Sequence, residues 1–153
     1  MTTLILAFLI GVIAGLRAMT APAAVAWAAH LGWLHLENTW LAFLGFAATP
    51  YVFSVLAIGE LITDQLPSTP SRKVPIQFGT RIFVGALCGA AVGAPSDALI
   101  GGLMAGVLGA IAGTLVGYEF RSRLTRAVGK DLPIALLEDA IAIGGAFVIV
   151  SRL

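Results

Sequence analysis

The chain has 153 residues, 59% of them hydrophobic and 11% charged, with a mean hydropathy of +0.98 and a formal net charge of +1. Ordinary soluble domains carry about 25% charged residues, so too few polar groups are present to cover a water-facing surface, and lipid is the expected solvent for most of it. The near-neutral charge excludes a nucleic-acid footprint, no DNA- or RNA-binding motif is present, and the one cysteine, Cys88, excludes an internal disulfide.

Taken in chain order, the first apolar segment runs from Thr2 to Leu16. Its Leu4–Ala14 stretch with Ala21-Pro22-Ala23 has the outline of a secretory signal. No Lys or Arg precedes it, however, and the residues after it are equally apolar, so it reads as part of the membrane domain. A second segment, Ala18 to Ala29, contains Pro22, which suits the first turn of a helix because its missing N–H would be unpaired there anyway. The linker His30 to Asn38 has no Lys or Arg. Trp27, Trp33 and Trp40 flank it as an interfacial aromatic belt, and His30 and His35 read as interfacial too.

Trp40 to Ile58 is uncharged and long enough to span, with Pro50 expected to kink it; it continues into Gly59-Glu60-Leu61-Ile62-Thr63-Asp64. Pro67, Pro70 and Pro75, with Ser68, Thr69 and Ser71, mark the stretch from Leu66 to Phe78 as a loop. Ile82 to Ser96 covers only about 22 Å as a helix, thin for a span. Pro95 closes it and opens Ala98 to Tyr118, which is uncharged throughout. Leu132 to Val150 is long enough to span but carries Glu138 and Asp139.

The fold class implied is all-α, a polytopic bundle forming a single membrane domain over residues 1–153. Either residues 2–31 form one broken span and there are five crossings, or they form two helices and there are six. Six is preferred because the halves then match: half one over 1–66, a Pro-rich loop over 67–79, and half two over 80–153, each of three helices and with opposite orientations. That is the inverted-repeat plan of many transporters. Arg72 and Lys73 in one loop, and Arg121, Arg123, Arg126 and Lys130 in the loop 121–131, put both loops on the cytoplasmic side, and the expected location is the inner membrane of a bacterium.

Small residues recur at spacings of four: Gly85, Gly89 and Gly93, then Gly102 and Gly106, then Gly109, Gly113 and Gly117. Such stripes let membrane helices touch backbone to backbone. They read first as packing within one chain and second as a homo-oligomer interface.

Ionisable groups near lipid are costly, so they are paired, inward-facing or functional. Arg17, Glu60, Asp64, Arg81, Glu119, Glu138 and Asp139 fall at one level, near the cytoplasmic helix ends, and Gly15-Leu16-Arg17 echoes Gly79-Thr80-Arg81. Glu60 with Asp64, and Glu119 with Arg123, share helix faces at a spacing of four. Three readings compete: salt bridges fixing helix register, a polar path for a proton, ion or small anion, and a divalent-cation site. The last is weakest, because no metal spacing is present and the arginines oppose it. Ser68, Ser71, Arg72 and Lys73 form a separate candidate for an anion or lipid head group, set against a plain solvated turn. No nucleophile elbow, phosphate loop, dinucleotide fingerprint or zinc spacing occurs, so neither enzyme chemistry nor a cofactor has a positive signal.

Gly15-Leu16-Arg17 with Thr20-Ala21-Pro22, the Asp64 to Arg72 loop followed by Pro75, Arg81 and the Gly/Ala run, and the late Glu138-Asp139 resemble the bacterial membrane proteins grouped as domain of unknown function 4126. The resemblance covers nearly the whole chain. It implies a small polytopic membrane protein and no particular activity. From the residues themselves the leading expectation is a small transporter or channel-like protein. A lipid-phosphate binding or lipid-modifying protein and a structural subunit are the alternatives, with membrane lipids as partners.

Overall fold

The computed structural model describes residues 1–66, 71 and 74–153. They form six α-helices: α1 (Thr2–Leu16), α2 (Thr20–His30), α3 (Thr49–Thr63), α4 (Pro75–Gly93), α5 (Leu99–Val128) and α6 (Leu132–Val150). Trp40–Gly45 and Ala94–Ser96 are short 3-10 segments, and no strand occurs among the described residues. The all-α expectation holds. Pro75–Ser96, α5 and α6 are each long and apolar enough to cross a membrane, and on those three the chain reads as an integral membrane protein. Helices α1 and α3 are apolar but 15 residues each, about 22 Å against a hydrocarbon core of about 30 Å. The outer surface is apolar as well: Val55, Ile76, Phe83, Ile100, Val116 and Phe147 are all more than half exposed, a surface for lipid rather than water.

The densest packing joins α1, α4 and α5, and glycine makes it possible. A Cβ on Gly106 would collide with the backbone of Gly85 and Gly89, and one on Gly113 with the backbone of Val12. One on Gly15 would come 2.6 Å from the Thr114 amide nitrogen. The α5 glycines therefore face two neighbours of the same chain: Gly102 and Gly106 meet α4, and Gly109 and Gly113 meet α1. Gly11 meets Gly106 while Gly15 meets Ala110 and Gly113, so α1 and α5 run parallel; Gly85 meets Gly106 while Gly93 meets Gly102, so α4 and α5 are antiparallel. Close backbone contact takes the place of the hydrophobic drive that helices lack in lipid.

Several sequence expectations need correction. Residues 2–31 form two helices, as preferred over one broken span, but the second starts at Thr20 rather than at Pro22. The chain reverses at Arg17–Met19, and Trp33, Leu34 and His35 return to the level of Thr2 and Thr3. Trp40 to Ile58 is not one helix. Thr39 caps a 3-10 turn by accepting from the Leu41 amide at 3.2 Å, Leu41 and Leu44 are fully buried, and the hydroxyl of Thr49, the first residue of α3, donates back to Phe43 O at 2.6 Å. Pro50 then sits in the first turn of α3 and kinks nothing. Helix α4 starts at Pro75, inside the expected loop, for the same reason. Pro95 falls in the 3-10 segment rather than opening α5. The expected loop 121–131 is helical to Val128. Arginine favours helix, Arg126 bonds back to Ser122, and the helix stops only at Gly129, whose φ of +78° suits glycine.

Candidate charged centre at the helix ends

Helix ends converge on one level, where α1, α3 and α5 arrive and α2, α4 and α6 depart. At that level Arg17, the residue that ends α1, is fully buried. Its Nη1 donates to Asp64 Oδ2 from the end of α3. Its Nη2 opposes Asp139 Oδ1 on α6 as an ion pair without hydrogen-bond alignment, and Glu138 Oε2 lies 3.9 Å away.

Arg121 on α5 closes the arrangement. Its Nη1 donates to the same Asp64 Oδ2 at 2.6 Å and lies 3.7 Å from Glu138 Oε2. Arg17, Asp64, Arg121 and Glu138 thus form a ring of alternating charge that ties α1, α3, α5 and α6 together. Asp131 extends the ring outward, accepting from Arg121 Nε at 2.9 Å and from Nη2 at 2.6 Å. Those two hydrogen bonds hold the Asp131 carboxyl below the usual carboxylate range.

Arg81 and Glu60 form a second layer that serves helix termini. Arg81 reaches from α4 and donates from Nη1 to Gly15 O at 2.7 Å and to Leu16 O at 2.9 Å. Those carbonyls belong to the last turn of α1, where backbone acceptors lack helical partners and a cation is favoured. The Thr114 hydroxyl supports the same turn, 2.8 Å from Ala110 O and 3.3 Å from Gly15 O. Glu60 does the converse at the entrance to α2: its two oxygens accept from the Ala18 and Met19 amides at 2.8 Å each. Glu60 Oε1 also lies 3.7 Å from Arg81 Nη2. The break between α1 and α2 is therefore held in place from both sides by a charged side chain.

Of the residues expected in the path, Arg17, Glu60, Asp64, Arg81, Glu138 and Asp139 come together. Glu119 does not; it pairs with Arg123 at 2.7 Å on an exposed face of α5. Of the expected anion site, Ser68, Arg72 and Lys73 lie outside the described residues, and Ser71 is exposed with its carbonyl accepting from the Val74 amide at 3.0 Å. Arg121 and Asp131 are the members the sequence reading omits. The signal for Arg121 was present: Gly109, Gly113, Gly117 and Arg121 continue one spacing of four, so the arginine shares the inward face of the glycine stripe.

Among the described residues no group of three or more His, Cys, Asp or Glu side chains converges to hold a metal ion. Two cavities reach the neighbourhood. One of about 360 Å³ between α1, α5 and α6 has a wholly apolar surface, from residues such as Val12, Val116 and Ile141 and from the carbons of Glu138. The other, of about 420 Å³, lies between α2, α3 and α6.

Comparison of the chain with family models, curated proteins and solved structures returned no match.

Proposed function

We propose that the protein is a small membrane transporter or channel-like protein that passes a proton, an ion or a small anionic solute through the charged ring. The observation that carries this reading is Glu138. It is 3% exposed, sits between Arg17 and Arg121, and its side-chain carbons border the apolar cavity between α1, α5 and α6. A buried carboxylate held between two guanidiniums can shift from one charge partner to the other, and buried charged clusters of this kind mark transport paths in membranes.

The alternating helix directions fit the inverted halves 1–66 and 80–153, and membership of domain of unknown function 4126 belongs to the same proposal. The charged end would face the cytoplasm of a bacterium, as the positive-inside rule requires of Arg72, Lys73 and the α5 arginines.

The test is flux in liposomes reconstituted with the purified protein, read by an internal pH-sensitive dye and by release of trapped ions and phosphate. Wild type should dissipate an imposed gradient faster than empty liposomes. No flux of protons, common ions or phosphate would overturn the reading.

A further inference from the structure

Helix α5 is longer than the membrane it crosses. It starts at Leu99, just after the exposed turn at Ser96 and Asp97. About 20 residues of helix cover about 30 Å, the whole of a hydrocarbon core. Residues 119–128 therefore continue past the acyl chains, at the end of the bundle that holds the charged ring.

One side of this helix changes character at that boundary. Met104, Leu108, Leu115, Ser122 and Arg126 lie within about 40° of a single line along α5. Met104, Leu108 and Leu115 are exposed, and they span about 16 Å, the depth of one leaflet. The glycine stripe that meets α1 and α4 lies on the other side of the helix. Ser122 falls about 6 Å beyond Tyr118, and head groups occupy about the first 5–8 Å outside the hydrocarbon core. The lipid-facing line thus runs from apolar to cationic at the depth of the phosphates.

The cations there are unequally engaged. Arg121 faces Asp64 and Asp131, and Arg123 pairs with Glu119. Arg126 donates only to its own helix, from Nε to Ser122 O at 3.2 Å and from Nη2 to Ser122 Oγ at 3.3 Å. Lys130 is exposed just past the Gly129 cap, and no acid among the described residues pairs with it or with Arg126. Helical side chains lean toward the N-terminus, which here is toward the bilayer, and the bonds to Ser122 hold Arg126 in that direction. Its Nη1 remains to be used, and so does the proton of the Ser122 hydroxyl. A guanidinium fork beside a hydroxyl suits a phosphate.

We propose that this side of α5 binds an anionic phospholipid. Arg126 and Ser122 hold its phosphodiester, Lys130 adds charge, and one acyl chain lies along Leu115, Leu108 and Met104. The site uses none of the ring residues, so it stands or falls independently of transport.

Native mass spectrometry tests it, on protein released in gentle detergent from vesicles of equal parts phosphatidylglycerol and phosphatidylethanolamine. Wild type should retain phosphatidylglycerol in preference. Arg126→Gln should lower that retention about five-fold and Arg126→Gln/Lys130→Gln about thirty-fold, the usual attraction of one and two cations to an anionic head group. Arg126→Lys, which keeps the charge and loses the fork, should fall between wild type and Arg126→Gln. Arg152→Gln makes the same change in net charge at the far end of α6 and should have no effect. Inorganic phosphate in excess should not displace the lipid, since it has no chain to lie on α5. Arg126 and Lys130 are exposed, so matching detergent unfolding curves should show these variants folded. Equal retention of the two lipids by wild type overturns the proposal. So does phosphatidylglycerol retained in full by the double variant, a loss in Arg152→Gln as large as in Arg126→Gln, or displacement by inorganic phosphate.

Discussion

Arg17 and Arg121 donate to the same carboxylate oxygen, Oδ2 of Asp64. Two guanidiniums on one acceptor would repel unless further anions faced them, and Glu138, Asp139 and Asp131 supply those anions. The ring is therefore interdependent, and removing one member strands the others. Arg17→Met should cost about 3–5 kcal/mol, the usual penalty for breaking a buried pair and leaving its partners charged. Arg17→Lys should be nearly as harmful, because a single ammonium cannot face Asp64 and Asp139 from two nitrogens at once. Unfolding in mixed detergent measures both, and wild-type stability in Arg17→Met would refute the ring as a structural unit. Adding Asp139→Asn to Arg17→Met should recover part of the loss.

The glycines divide by what a methyl group would meet. At Gly106 a Cβ would strike the α4 backbone, which cannot give way as a flexible side chain could; at exposed Gly144 it would meet nothing within 4 Å. Gly106→Ala should therefore destabilise by about 1–3 kcal/mol, the range for overpacking. Gly144→Ala should be neutral or stabilise by up to about 1 kcal/mol, since alanine is the better helix former. Parallel detergent unfolding curves check the pair, and equal effects at the two positions would show that the close α4–α5 approach contributes little.

These two outcomes bear on how much was legible in the sequence. Apolar runs and glycine spacing carry local information, so the all-α class, the long helices α5 and α6 and the packing faces of α4 and α5 could be read directly, whereas the α4 segment reads as thin for a span although the helix is long enough to cross. The level of Arg17, Glu60, Asp64, Arg81, Glu138 and Asp139 could be read as well, because charge near lipid is forced to helix ends or into pairs. What could not be read was where apolar residues stop spanning. Trp40 to Phe46 is as apolar as any helix here, yet Leu41 and Leu44 are used to plug the interior from a 3-10 turn. That use depends on tertiary neighbours that sequence periodicity does not register. The arginines of α5 misled for a related reason: clustered cations suggest a loop, but the helix ended only where Gly129 ended it, and Arg121 turned inward to Asp64.

Asp131 makes the outer edge of the ring sensitive to acid. Its carboxyl is held below the ordinary value of 3.8, chiefly by hydrogen bonds from Arg121. A depressed carboxylate contributes stability above its unfolded pKa and loses it as pH falls through the lower folded value. Asp131→Asn should thus be less stable than wild type at neutral pH, with the difference fading below about pH 4. Asp131 is half exposed, so the effect should be small and weaken with salt. Unfolding midpoints of the two proteins across that pH range decide the matter; a gap that persists at the acid end would assign the loss to something other than this charge.

The flux prediction sets two glutamates against each other. Glu138 and Glu119 are both near the charged end, but Glu138 is buried between Arg17 and Arg121, whereas Glu119 is exposed beside Arg123. If flux runs through the ring, the position of the carboxylate matters and the total charge does not. Glu138→Gln keeps the shape of the side chain and removes its charge, and it should reduce flux to the level of empty liposomes. Glu119→Gln makes the same change in net charge and should leave flux intact. Detergent unfolding of Glu138→Gln, run alongside, separates loss of transport from loss of fold. A stable Glu138→Gln that still conducts would mean that the carboxylate does no more than join α6 to its neighbours, and the ring would then be a clasp rather than a path.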